Sequence, residues 1–266
     1  TGSNGKTMVK EWLYQLMSPE MNVTRSPRSY NSQIGVPLSV WLLNEQSEVG
    51  VFEAGISEPG EMLALRDIIQ PTIAVLTFIG DAHQKNFASL EEKCREKIIL
   101  FHDAKTIVYC KDDTLVDDVV KSFDYKGDNL SWSMKDPEAA LYVKQVDKNG
   151  LTSTVHYIFK GEEGEYELPF IDEASVRNSA TTAVVALHLG LSKELLAERM
   201  KNLEPVAMRL EVKEGQHGCT LINDSYNSDI NSLDIALDFM SRRPDHKGLG
   251  RTLILSDIYQ TGEPLE

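Results

Sequence analysis

The sequence predicts an α/β protein: a doubly wound, mostly parallel sheet with an antiparallel insert, followed by part of a second Rossmann-like α/β domain. Three observations carry that prediction. Short apolar runs at 48–54, 72–79 and 106–110 alternate with segments of helical period, the order that builds a parallel sheet through crossover helices. The run at 72–79, TIAVLTFI, holds almost no polar residue, as expected of a strand covered on both faces. Finally, Thr1-Gly2-Ser3-Asn4-Gly5-Lys6-Thr7 runs straight into a helix-like segment and carries the end of the phosphate-loop pattern G-x-x-x-x-G-K-[ST], which makes the predicted fold P-loop-containing.

Residues 6–17 are expected to be helical, with Val9, Leu13, Leu16 and Met17 on one face. A helix there points its positive end at a bound anion. Gly2 and Gly5 let backbone N–H groups turn inward, Lys6 supplies a cation for phosphates, and Thr7 offers a hydroxyl to Mg²⁺. Next come a strand at 23–27, a loop at 30–35, and a proline-started apolar helix at 37–44. Strands at 48–54, 72–79 and 106–110 then alternate with helices at 60–69, 90–101 and 114–123. From Asp128 the pattern changes to period two over 130–134, 139–146, 152–159 and 166–170, with turns expected at Asn149-Gly150 and Glu163-Gly164. Helices follow at 174–189 and 193–203, then a linker from Pro205 to Arg209. Two domains are therefore expected, 1–206 and 207–266, the second opening with strands at 210–214, 219–223 and 252–255 around a helix at 233–240.

Composition narrows the partners. The chain has 266 residues, a net charge of −14 and 41% hydrophobic residues. That content supports real cores, and the acidic balance argues against nucleic acid or an anionic membrane surface as the main partner. Local lysines and magnesium can still neutralise a nucleotide. Cys94, Cys110 and Cys219 lack metal-ligand spacing and suit a reducing cytosol. The first glycine of the phosphate pattern would precede Thr1, and the strand that feeds such a loop is not in the sequence, so the chain reads as a fragment of a longer protein.

In parallel α/β sheets, ligands sit at the carboxyl ends of strands. Glu53 ends one run there: it is either a strand-terminal acid facing water or a Mg²⁺ ligand opposite Thr7. His83 follows TIAVLTFI, as a structural histidine or a ligand in the same layer. Lys93, Arg95, Glu96 and Lys97 by themselves describe an exposed charged helix. The acidic groups at 112–118 and 162–167 read as solvated faces. Asn31 and Gln33 suit polar contact with a substrate or simply fix a turn. Asn178 could cap a helix. Asp224 ends a later strand, and Arg209 gains interest only if domain closure carries it to a phosphate.

The ordered stretches TGSNGKT, SYNSQIGVPLSVW, FEAGISEPGEM, IGDAHQKNFASLEEKCREK, MRLEV and INDSYNS together resemble the Mur ligase family, specifically its branch that joins D-Ala-D-Ala to UDP-MurNAc-tripeptide. The resemblance covers nearly the whole chain and implies the central ATP-binding domain plus the first part of a C-terminal domain. It implies a cytoplasmic, monomeric, ATP-dependent amide ligase of peptidoglycan precursor synthesis acting through an acyl phosphate, inactive as this fragment alone. It further implies ATP held by Gly2, Ser3, Asn4, Gly5, Lys6 and Thr7, adenine contacted by Asn178, the γ-phosphate reached by Arg209, and Asp224 near the ribose. Two Mg²⁺ ions are implied at Thr7, Glu53, His83 and a carbamylated Lys97. Catalysis is implied to rest on Lys6, His83, Lys97 and Arg209, with Asn31 and Gln33 against the muramoyl-peptide. Some stretches also resemble a form fused ahead of an alanine racemase. The asparagine helix opens with Asp172-Glu173-Ala174-Ser175 where the family carries a Gly-x-His-Asn-like stretch, and the segment at 224–230 lacks the family's proline. A folylpolyglutamate synthase-like ligase and a non-catalytic nucleotide-binding domain are the alternative readings.

Overall fold

The computed structural model describes residues 1–80, 84–123, 125–206, 211–225, 230–242 and 250–256. His83, Arg209 and the last part of the expected linker lie outside the described residues. Helix α1 (Lys6–Met17) leads into β1 (Val23–Arg25), α2 (Gly35–Val40) and β2 (Val49–Val51). Then come α3 (Glu61–Ile69), β3 (Ile73–Val75), α4 (Leu90–Ile98), β4 (Thr106–Val108), α5 (Thr114–Ser122) and β5 (Asp128–Asn129). Strands β1 and β2 pair in parallel, as do β3 with β4 and β4 with β5. Side chains direct the helix starts. Ser89 and Asp113 each accept the backbone N–H three residues on, opening α4 and α5, which satisfies a donor that a helix start leaves unpaired.

Strands β3, β4 and β5 form one sheet that is covered on both faces, and β4 with its continuation shows it. Ile107 and Tyr109 enter a core with Met62, Leu65, Cys94, Val116 and Val120 from α3, α4 and α5. Val108 and Cys110 enter the opposite core, with Trp12, Leu13 and Leu16 of α1. Adjacent residues on a strand point to opposite faces, so one strand feeds two apolar layers. That is the doubly wound arrangement.

The insert is β6 (Trp132–Ser133), β7 (Leu141–Asn149), β8 (Thr152–Phe159) and β9 (Glu162–Leu168). Strands β7, β8 and β9 are antiparallel, while β6 pairs with β7 in parallel. A bridge between Cys110 and Trp132 ties the insert to the main sheet. Its inner face, with Leu141, Val143, Val155, Tyr157, Tyr166 and Leu168, joins the α1 core. Helices α6 (Glu173–His188) and α7 (Lys193–Met200) complete that core through Ala180, Val184, Leu196 and Met200. Further on lie β10 (Glu211–Glu214), β11 (Thr220–Asn223), paired antiparallel, and α8 (Ile230–Arg242).

Several expectations are corrected. Helix α2 begins at Gly35, two residues before Pro37, and ends at Val40 instead of Asn44. The second meander turn falls at Lys160-Gly161, with φ 49° and 85°. Two left-handed residues match a type I′ hairpin, and Glu163-Gly164 lies inside β9 paired with Ile158 and Tyr157. Strand β3 is shorter than its apolar run; beyond Val75 the backbone runs on between β4 and the phosphate loop, Leu76 N donating to Val108 O at 2.9 Å and Thr77 N to Thr1 O at 3.0 Å. Asp113 caps α5 and Asp117 is buried against the Tyr109 hydroxyl at 3.0 Å, so the acids at 112–118 are not simply a solvated face. Residues 250–256 form no strand.

Candidate active site

The phosphate loop is held by the chain beyond β3. Ser3 N donates to Phe78 O at 2.6 Å, and Thr77 N donates to Thr1 O at 3.0 Å. Ser3 Oγ and Gly80 exchange two contacts of 3.1 Å, the hydroxyl donating to the carbonyl and accepting from the amide. Gly2 (φ 140°) and Gly5 (φ 86°) take backbone conformations that side chains rarely adopt. A Cβ on Gly2 would stand 2.2 Å from Thr77 Oγ1, and one on Gly5 would stand 2.4 Å from Asn178 Oδ1. Asn178 is thus packed against the loop. It lies inside α6, whose cap is Asp172, so the reading of Asn178 as a cap is wrong.

Lys6 Nζ donates to Gly2 O at 2.9 Å and to Ser3 O at 3.0 Å. One residue on, Thr7 Oγ1 donates to Glu53 Oε2 at 3.2 Å and meets Ser29 Oγ at 3.1 Å. Glu53 is therefore no strand-terminal acid facing water: it is buried under the loop. Its Oε2 also accepts from Asn31 Nδ2 at 3.3 Å. Lys10 Nζ lies 3.1 Å from Oε1, near enough for ion pairing but off the hydrogen-bonding direction, so Oε1 accepts no hydrogen bond from the described residues.

A cleft of about 310 Å³ opens beside this group, lined among others by Gly2, Ser3, Lys6, Asn31, Gln33 and Lys97. Lys97 was expected on an exposed charged helix. It is only 3% exposed, and Lys93, one turn earlier, is fully buried; only the Arg95 side of α4 faces water. Lys93 Nζ donates to Gly80 O, the same carbonyl that meets Ser3. Burial, then the charges of Lys6 and Lys93, lowers the Lys97 pKa to about 7. Desolvation disfavours an ammonium and neighbouring cations add to that, so a share of Lys97 is a neutral amine near neutral pH.

Thr7, Glu53, Lys6, Lys97, Asn31, Gln33 and Asn178 thus gather around one loop. Asp224, half-buried after β11, does not line the cleft. Sequence reasoning missed Lys10, Ser29 and Thr77, and read Lys93 only as part of an exposed charged helix. Lys10 left a signal: it lies two turns before Met17, on the edge of the α1 stripe that the apolar residues occupy.

The profile of the Mur ligase middle domain matches residues 1–186. The chain belongs to the Mur ligase family. It is 27% identical over 271 residues to the UDP-N-acetylmuramoyl-tripeptide–D-alanyl-D-alanine ligase of Bacillus subtilis, an alignment covering 99% of this chain and 56% of that protein. The chain thus spans little more than half the length of that Mur ligase. Solved structures that share its fold include two of MurF. MurF from Acinetobacter baumannii is 22% identical with a TM-score of 0.80, over 91% of this chain and 53% of that one. The MurF ligase from Thermotoga maritima, in complex with ADP, is 24% identical with a TM-score of 0.79, over 91% and 56%.

Proposed function

We propose that the chain carries the nucleotide-binding centre of an ATP-dependent ligase that joins D-Ala-D-Ala to UDP-MurNAc-tripeptide. The observation that carries this reading is the meeting of Thr7 with the buried carboxylate of Glu53 beside a cleft that Lys6 and Lys97 share. The named Bacillus relative, aligned over nearly the whole chain, favours this branch over a folylpolyglutamate synthase-like ligase. Residues 1–206 form the central domain in this reading, and 207–266 begin the C-terminal domain.

The chemistry follows from what a carboxylate lacks. It is a poor electrophile, so its oxygen attacks the γ-phosphorus of ATP and ADP leaves. The amine of D-Ala-D-Ala then attacks the acyl phosphate carbonyl, phosphate leaves with the C–O bond pair, and the amine loses a proton. The chain's work is to position anions and offset their charge. Gly2 through Thr7 wrap the phosphates, with Lys6 exchanging its carbonyl partners for phosphate oxygens. Asn178, against Gly5, stands on the adenine side, and Asn31 and Gln33 line the cleft where the muramoyl-peptide enters. Arg209, His83 and Asp224 complete the set in this reading.

The donor set fits magnesium, which is bound by one or two carboxylates together with phosphate oxygens. Glu53 and Thr7 would hold one ion; carbamylated Lys97 and His83 would hold a second. Bound magnesium would neutralise charge developing on the phosphoryl oxygens. Lys97 suits carbamylation: its neutral amine adds to CO₂ and releases one proton, which turns a buried cation into an oxygen donor.

The test is Lys97→Ala in a ligase holding all the family's domains. Amide formation should fall by about a thousandfold, and acetate or formate should partly restore it by supplying the missing carboxylate. Full activity without rescue overturns the carbamate. Phosphate release stimulated by glutamate instead of D-Ala-D-Ala overturns the branch assignment.

A further inference from the structure

Lys10 is a second lysine on the phosphate-loop helix, one turn beyond Lys6, and the chemistry above leaves it without a role. It is 2% exposed, as is its partner Glu53. Burying an ammonium is costly unless charges and carbonyls surround it, and here they do. Lys10 Nζ lies 2.9 Å from Glu11 and 3.1 Å from Glu53. It donates to Ser26 O at 2.9 Å and to Arg28 O. Arg25 meets the far side of Glu11 at 3.2 Å. Charges therefore alternate from Arg25 through Glu11 and Lys10 to Glu53, and the row ends at the Thr7 hydroxyl.

Apart from the Glu11 pair, the contacts of this ammonium bear on where the Glu53 carboxylate sits. Ser26, whose carbonyl Lys10 binds, accepts the Glu53 backbone N–H at 3.2 Å. Arg28, the other carbonyl partner, holds a left-handed conformation at φ 49°, which a non-glycine residue keeps only where its surroundings enforce it. The next residue, Ser29, meets the Thr7 hydroxyl at 3.1 Å. One buried cation thus braces the loop at 26–29, the end of β2 and the far oxygen of Glu53, and leaves Oε2 toward Thr7 and Asn31.

We propose that Lys10 is a positioning residue for magnesium: it fixes the Glu53 carboxylate so that a divalent cation on Thr7 finds it already in place. The assignment rests on the functional reading above. Partners that orient a metal ligand typically change metal affinity by ten- to a hundredfold when removed. The experiment is calorimetric titration of ADP into this chain, with and without Mg²⁺, for the parent, Lys10→Met and Lys10→Arg. The readout is the factor by which Mg²⁺ tightens ADP binding, which a merely structural role would not move. That factor should shrink about tenfold in Lys10→Met, with Lys10→Arg, which keeps the charge, restoring part of it. Where Lys10→Met does not fold, Lys10→Arg carries the test, since guanidinium geometry differs from that of ammonium and should reduce the factor by about threefold. A folded variant with the parent's factor overturns the role of Lys10 alone. A parent whose ADP affinity ignores Mg²⁺ overturns the functional reading and this assignment together.

Discussion

Lys10 and Glu53 are the same two residue types, at nearly the same separation, as Lys144 and Glu163. The first pair lies at 3.1 Å with both side chains 2% exposed; the second lies at 3.3 Å with side chains 57% and 75% exposed. One sits beneath the phosphate loop, the other on the outer face of the meander. The Coulomb attraction is alike at equal dielectric, so the surroundings make the difference. On the meander, water screens each charge and would solvate either one if its partner left. Beneath the loop, neither charge can regain its hydration, and each depends on the other. The meander adds apolar area to the α1 core and keeps its charges cheap. The loop side keeps charges that are costly for folding, as expected where a site must meet a polyphosphate.

The largest effect should come from breaking the buried pair. Glu53→Ala leaves the Lys10 ammonium with Glu11 and two carbonyls in a dry site, and should lower folding stability by about 3 kcal/mol. Urea unfolding of parent and variant measures it, with the slope unchanged if the fold is kept. A loss under about 1 kcal/mol would mean that the buried pair behaves like a surface one, and the contrast would fail.

How legible was this contrast in the sequence? The loop was, because Gly-Lys-Thr chemistry is local: glycines for the turn, a cation and a hydroxyl in consecutive positions. Helix starts were equally local, as Ser89, Asp113 and Asp172 show. The two-faced sheet could be inferred from TIAVLTFI. What failed was burial of charge. LEEKCREK reads as a solvated helix by its own composition, and only the arrival of the chain at Gly80 over Lys93, and of the loop beside Lys97, makes it an inner wall. Partners from distant positions decide that, and no local periodicity reports them. The meander turn failed for a neighbouring reason: Lys160 accepts a left-handed backbone because the strands on either side fix the register, although Glu163-Gly164 looked the better turn.

An intermediate effect tests the buried side through pH. The Lys97 pKa falls from 10.5 to about 7 on folding. Between those values the unfolded chain binds more protons than the folded one, so this residue makes stability rise with pH across that window. Below about pH 7 both states are protonated and the full penalty applies. Lys97→Met should therefore be more stable than the parent, on the order of 2 kcal/mol below pH 7, with the gap closing as pH approaches 10.5. Urea midpoints for both proteins from pH 6 to 10 measure it, in buffers freed of CO₂ so that the amine stays unmodified. A gap that widens with pH would reverse the sign and show that Lys97 gains a partner on folding.

The smallest effect belongs to the meander. Lys144 falls at the irregularity between Val143 and Gln145, where the register of β7 against β8 shifts, so its side chain leaves the regular ladder and reaches Glu163 across solvent. Removing it frees a rotamer-rich chain and strands no charge, because Glu163 simply rehydrates. Lys144→Ala should change stability by about 0.5 kcal/mol or less, and added salt should erase even that, since exposed pairs are screened at high ionic strength. The same salt should leave the Glu53→Ala deficit nearly intact, because both side chains of that pair are 2% exposed and a buried pair is screened far less than a surface one. Parallel unfolding of both variants at low and high salt therefore compares the two pairs directly. A salt-resistant loss at Lys144, or a salt-sensitive one at Glu53, would show that burial is not what sets them apart.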